Sequence, residues 1–193
     1  MANGNQTPSY IIKVIMLGYT RAGKTALLKK YMDGTFPSKY TPTQPMNLES
    51  KRMELDGRLT QVSIWDIGSQ MGYDTLLPMY YRGALGAIIV FDLTHKKSFE
   101  VVPTLLNEIK KHNPAIPVAI VGNKVDLRDE RQITPEEISE LMDKLRQDWP
   151  KKISYFEVSA KGEQMKIRPI FENLVREIIR GVATDEDEEE VFI

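Results

Sequence analysis

The chain has 193 residues, 41% of them hydrophobic, with a formal net charge of −1 and no cysteine. That length supports one compact domain with a sizeable core. Without cysteine there are no disulfides, no thiol catalysis, no prenylation and no palmitoylation, and no apolar stretch reaches bilayer-spanning length.

Residues 1–9 read as a flexible N-terminus. Their start, Met1-Ala2-Asn3-Gly4-Asn5-Gln6, is polar and carries neither a signal-peptide nor a myristoylation pattern. A cytoplasmic chain without a direct lipid anchor is expected. The apolar run 11–17 predicts a strand. Directly after it comes Gly18-Tyr19-Thr20-Arg21-Ala22-Gly23-Lys24-Thr25, which fits the phosphate-binding pattern G-x-x-x-x-G-K-[ST]. Leu27, Leu28 and Tyr31 then mark a helix. In that strand–loop–helix setting the backbone N–H groups from Thr20 to Ala26 turn toward phosphate oxygens, and the helix aims its positive dipole end at the same anion. Lys24 supplies a point charge at the β- and γ-phosphates. The Thr25 hydroxyl is placed to ligate Mg²⁺.

Residues 47–55 and 58–65 read as a hairpin about Asp56-Gly57. The near-continuous apolar runs 87–91 and 118–121 predict strands buried on both faces, and 152–158 is a sixth strand candidate. A helix starts at Thr134 as N-cap, with Pro135 in the first position and Glu137 closing a capping box; Ile138, Leu141, Met142 and Leu145 form its apolar face. Ile167, Ile170, Phe171, Leu174, Val175, Ile178 and Ile179 give a last helix. The fold class is α/β: a doubly wound, six-stranded, mostly parallel sheet with helices on both faces, of the P-loop NTPase kind.

The remaining residues, 182–193, contain Asp185-Glu186-Asp187-Glu188-Glu189-Glu190. Removing those six charges from −1 leaves the rest at +5. The run reads as a disordered, solvated tail, with docking on a basic partner or on the body as alternatives. Nothing suggests a nucleic-acid motif.

Ligands of such sheets sit at the carboxyl ends of the strands. There the sequence places Asp66-Ile67-Gly68-Ser69-Gln70, Gly122-Asn123-Lys124-Val125-Asp126 and Ser159-Ala160-Lys161 beside the phosphate loop. Together these resemble the Ras-like small GTPases over residues 10–181. Asn123-Lys124-Val125-Asp126 matches N-K-x-D, and Ser159-Ala160-Lys161 matches the S-A-K loop. Tyr80-Tyr81-Arg82-Gly83-Ala84 and Phe91-Asp92-Leu93-Thr94 look most like the Rab subfamily. The acidic, cysteine-free tail and Val102-Pro103 are similar to Ran instead.

The resemblance implies a GTP/GDP switch with Mg²⁺. Asp126 would accept from guanine N1–H and the 2-amino group; a site built to hydrogen-bond rejects an analogue lacking those donors by about 10⁴–10⁵-fold. Asn123 would reach base N7 and brace the loop. The Lys124 stem would lie along the base, with Phe36 on its other side, and the Ala160 N–H would meet guanine O6. Thr25 and Thr43 would ligate the metal, while Asp66 would hold a metal-bound water. Thr43 and Ser69 would sense the γ-phosphate through backbone N–H groups. Gln70 would orient the attacking water; a glutamine accepts protons too poorly to act as base. Arg21 is a candidate for transition-state charge from within the loop. His95 and His112 are expected to be exposed and uninvolved.

Three segments depart from the family pattern. Ser69 stands where the family carries Gly, Met71 follows the glutamine in place of an acid, and Gln44-Pro45-Met46 follows the switch threonine; Thr20 also sits near the γ-phosphate. These departures predict slow hydrolysis, with a non-hydrolysing GTP-bound interaction module as the alternative. Leu48, Trp65 and Tyr80 occupy the positions of a Rab hydrophobic triad. They either form a patch for effector proteins or pack the hairpin onto the adjoining segment. A monomer is expected, with effectors, an exchange factor and a GTPase-activating protein as partners.

Overall fold

A computed structural model describes residues 7–37, 46–68 and 78–189 of the protein, with side chains described through residue 182. Strands β1 (Tyr10–Gly18), β2 (Met46–Leu55), β3 (Arg58–Ile67), β4 (Gly86–Asp92), β5 (Val118–Asn123) and β6 (Ile153–Glu157) form one sheet in the order β2-β3-β1-β4-β5-β6. Only β2 runs antiparallel, through the hairpin at Asp56-Gly57. All six predicted strands are present, each within two residues of its expected bounds.

Alternation along the central strands sends side chains to two separate cores. On one face Ile12, Val14 and Met16 of β1, with Ile88 and Val90 of β4, pack under α1 (Lys24–Asp33) and α6 (Gln164–Glu189). On the other, Ile15, Leu17, Ile89 and Phe91 pack under α2 (Pro78–Tyr81), α3 (Lys96–Glu100), α4 (Val102–His112) and α5 (Pro135–Asp148). Each such fully buried aliphatic side chain contributes about 1.5–3 kcal/mol. Because the period is two residues, a slip of one position would exchange the two cores. The expected doubly wound architecture is therefore the observed one.

The α5 start is as read: the Glu137 N–H donates to Thr134 Oγ1 at 3.2 Å and the Thr134 N–H donates to Glu137 Oε2 at 3.0 Å. The last helix differs from expectation. It runs through Gly181 to Glu189, so its backbone continues into the acidic segment that the sequence suggested would be disordered. Charge runs lack the apolar residues that signal a packed element, yet glutamate and alanine propagate a helix already begun. Pro169 sits inside the same helix and removes one backbone bond. The buried stripe Ile167, Ile170, Phe171 and Leu174 holds the helix across that gap.

Candidate functional site

The β1–α1 turn is shaped by close contacts. Gly18 closes β1 at φ 150°, and a Cβ there would stand 2.1 Å from the Val90 carbonyl oxygen. Gly23 precedes α1 in the left-handed region at φ 92°, and its Cβ would stand 2.2 Å from Asn123 Nδ2. Only glycine fits either place. Gly23 offers no side-chain cap to the first turn of α1, so that turn's N–H groups face the loop mouth. Arg21, exposed, adopts φ 60° at the loop's crest. Thr20 is exposed beside it, whereas Ala22 is buried and Ala26 half-buried.

Lys24 is buried, and its Nζ donates to the Gly18 and Tyr19 carbonyls at 2.9 and 3.3 Å. Burial pulls its amine below the ordinary lysine range, while Asp66 nearby works the other way. Thr25 Oγ1 donates to Asp66 Oδ2 at 2.5 Å. Asp66, at the end of β3 opposite Met16 of β1, is wholly buried. Its Oδ1 has no hydrogen-bond partner among the described residues. Burial raises the carboxyl above its usual range, against the opposing effects of Thr25 and Lys24.

That orphaned oxygen beside a threonine hydroxyl suits a hard cation with oxygen ligands. Among the described residues no three His, Cys, Asp or Glu side chains gather into a metal cage. The Thr25 hydroxyl and the Asp66 carboxylate are hard oxygen donors of the kind Mg²⁺ takes, an ion that usually keeps several waters and shares substrate phosphates.

At the other end of the cleft, the β5 and β6 turns are joined through one side chain. Asn123, 1% exposed, donates from Nδ2 to the Ala22 carbonyl at 2.9 Å and accepts the Ala160 N–H on Oδ1 at 3.0 Å. The Val158 N–H donates to the Gly122 carbonyl and the Val125 N–H to the Val158 carbonyl, which locks the two turns edge to edge. Ser159 Oγ accepts the Lys161 N–H at 3.1 Å. Asp126 is exposed at the same turn. Phe36 is 43% exposed, and Lys161 Nζ lies 5.8 Å from its ring centre. The phosphate loop, Phe36, the N-K-V-D turn and the S-A-K turn therefore meet at one rim.

Ala160 also has a structural partner within the rim. The Ala160 N–H, expected to face the base oxygen, donates to Asn123 Oδ1 at 3.0 Å and so braces that side chain. Thr43, Ser69 and Gln70 lie outside the described residues, as do Gln44, Pro45 and Met71. His95 and His112 are exposed as expected, each stacked on a tyrosine, Tyr19 and Tyr81 respectively. Leu48 and Trp65 are register partners, and Trp65 meets Tyr80 edge-on at 6.5 Å. Leu48 is 50% exposed and Lys13 Nζ caps the Trp65 ring at 3.9 Å, so the triad is contiguous and partly open.

Sequence reasoning passed over Asp92 as a working residue. Its carboxylate pairs with Lys124 Nζ at 2.5 Å and accepts from the Thr94 N–H and hydroxyl. The D-x-T spacing, a signature of a side chain bonding two residues on, was the available signal.

The family model described as Ras family matches residues 13–180. The chain belongs to the Ras family. Among similar proteins are the Ras-related protein Rab-8B of Bos taurus (32% identical over 175 residues, 90% of this chain and 81% of that protein) and the GTP-binding protein ypt2 of Schizosaccharomyces pombe (31% over 180 residues, 93% and 86%). Rab-8A of Rattus norvegicus is 32% identical over 174 residues, 90% of this chain and 81% of its own. The chain is thus a Rab-like Ras-superfamily GTPase with the P-loop fold. No helix among the described residues is long and apolar enough to cross a membrane.

Proposed function

We propose that the protein is a GTP/GDP-cycling switch that hydrolyses GTP slowly and signals through the segments around Thr43 and Gln70. The observation that carries this reading is Asn123, whose side chain ties the phosphate loop at Ala22 to the base loop at Ala160. One side chain thereby sets the distance between a phosphate site and a base site.

Asp126 is the guanine selector, with the Lys124 stem and Phe36 flanking the base. The first N–H groups of α1 and Lys24 take the β- and γ-phosphates. Mg²⁺, which would neutralise charge on those phosphates, is assigned to Thr25 and Thr43, with Asp66 holding a metal-bound water. The partnerless, buried Asp66 Oδ1 supports that role. Gln70 orients the attacking water, and positioning of this kind is most of what phosphoryl transfer asks of a protein. Loss of the γ-phosphate removes the partners of Thr43 and Ser69, releasing both segments in an order–disorder switch. The contiguous face of Leu48, Trp65 and Tyr80 is the surface assigned to effectors, with membrane association through such partners.

Base selectivity tests the site. Asp126→Asn is expected to move preference from guanosine toward xanthosine nucleotides, whose 2-oxo group accepts where guanine donates; unchanged guanine preference refutes the base assignment. Single-turnover hydrolysis tests the chemistry. Wild type is expected to turn over slowly and Gln70→Leu more slowly still; equal rates remove Gln70 from the reaction. The alternative, a GTP-bound module that does not hydrolyse, draws on Ser69, Pro45 and Thr20. Nucleotide retained through gentle purification separates the two: GDP marks the turning enzyme, persistent GTP the module.

A further inference from the structure

We propose that Asp92 is a positioning residue that retains guanine nucleotide by fixing Lys124 along the base side of the site. The inference rests on the reading of Lys124 as a base-flanking residue. Asp92 ends β4 opposite Asn123 of β5, one position before Lys124. Nearly every polar atom of Asp92 is already held. Its N–H donates to Ser98 Oγ at 2.9 Å, and its carbonyl accepts the His95 N–H at 3.0 Å. Its Oδ1 accepts the Thr94 N–H and hydroxyl at 2.9 and 2.8 Å. That leaves Oδ2, which takes Lys124 Nζ at 2.5 Å.

The pair is asymmetric in burial: the Asp92 side chain is 8% exposed and that of Lys124 33%. An immobilised, nearly buried anion thus anchors a long flexible cation. Lys124 itself adopts φ 69°, a conformation a non-glycine residue takes at a cost and one concentrated at working sites. The Leu127 N–H bond to the Lys124 carbonyl holds that turn from the backbone side. Asp92 holds it from the side-chain side. Without the carboxylate, the Lys124 stem regains its rotamers and the ammonium is free to swing into water, away from the cleft.

The same short connection reaches the phosphate loop. Three residues after Asp92, His95 stacks on Tyr19 with ring centres 5.3 Å apart, and the Tyr19 carbonyl accepts from Lys24. The Leu93 N–H also donates to the Asn123 carbonyl at 3.0 Å. The β4–α3 connection thus contacts both ends of the site.

The test is a double-mutant cycle read as the GDP release rate: wild type, Asp92→Asn, Lys124→Met and the double variant, each first shown to unfold cooperatively. Asparagine keeps an oxygen for Thr94 and replaces the Oδ2 acceptor that faces Lys124 with an uncharged amide donor, which cannot hold the ammonium. Asp92→Asn is expected to speed release roughly tenfold, as loss of a hydrogen bond to a charged group does. In the Lys124→Met background it should add nothing. Guanosine-over-xanthosine preference should stay at the wild-type value, because Asp126 is untouched. Unchanged release in Asp92→Asn, or effects that multiply in the double variant, would overturn the proposal, since Asp92 would then act through the fold alone. Unchanged release in Lys124→Met overturns it too, and the selectivity of Asp126→Asn then shows whether the base-site reading falls with it. Should Asp92→Asn fail to fold, Asp92→Glu, with its charge one methylene further out, serves in the same cycle.

Discussion

At the base end of the cleft the described polar groups are largely spoken for. Asn123 spends Oδ1 on Ala160 and Nδ2 on Ala22, and Ser159 Oγ holds Lys161. At the phosphate end, 0%-exposed Asp66 keeps an oxygen with no partner, Lys24 is buried against carbonyls, and Gly23 leaves the first turn of α1 without a side-chain cap. Buried polar groups are seldom left unmatched, and unmatched ones cost stability. The contrast teaches that the Asn123 end of the rim is held together by its own hydrogen bonds, whereas the Asp66 end keeps polar capacity that the described residues do not use.

Removing the phosphate end's charge should have the largest effect. Lys24→Ala is expected to lower GDP affinity about 10- to 10²-fold, the worth of a hydrogen bond between charged groups. Calorimetric titration checks it; a change below threefold would make the two ends equivalent.

Gly23→Ala attacks both ends at once. The new methyl enters a left-handed position and meets Asn123 Nδ2. The backbone strain alone costs about 1–3 kcal/mol, and the displaced Asn123 should weaken nucleotide binding further. Chemical denaturation with and without GDP measures both losses. A variant with wild-type stability would mean that Asn123 does not join the two ends as tightly as the geometry requires.

Asp66→Asn separates stability from function. It removes a buried carboxylate charge that desolvation disfavours, so Mg²⁺-free, nucleotide-free protein should melt at a higher temperature than wild type. The increment that Mg²⁺ adds to the nucleotide complex should shrink at the same time. Thermal melts with and without Mg²⁺ read both; a loss of stability in the ligand-free protein would show that Asp66 already has its partner.

The smallest effect belongs to the base end's outer brace. Arg131 makes two 2.8 Å bonds to the Glu157 carboxylate, one residue before Val158. Arg131 first, then Tyr155, hold that carboxyl below its ordinary value of 4.5. A depressed carboxylate stabilises the fold above its unfolded pKa and loses that contribution as pH falls through the lower folded value. Glu157→Gln should therefore cost about 0.2–1 kcal/mol at pH 7, and the gap from wild type should close in acid below 4.5. A gap independent of pH would assign the loss to packing instead.

Much of this architecture was readable in the chain. The apolar runs at β1, β4 and β5 are local patterns, and so are the Asp56-Gly57 turn and the Thr134 capping box. The phosphate loop announces itself because its glycines are dictated by short-range backbone geometry. The helical reach of the acidic segment was not readable, because charge density masks propensity. Nor was the engagement of the Ala160 N–H, which depends on where Asn123 points.

The sequence by itself determined the strands, their order of appearance, the glycines of the phosphate loop and the residue types gathered at the strand ends, because each is set by contacts within a few positions. Only the tertiary structure decided the rest. Asn123 reaches Ala22 across 101 positions, Thr25 finds Asp66 across 41, and Lys124 finds Asp92 across the β4–β5 boundary. Such pairings follow from strand order and register, which bring distant side chains within hydrogen-bond reach once the sheet is assembled.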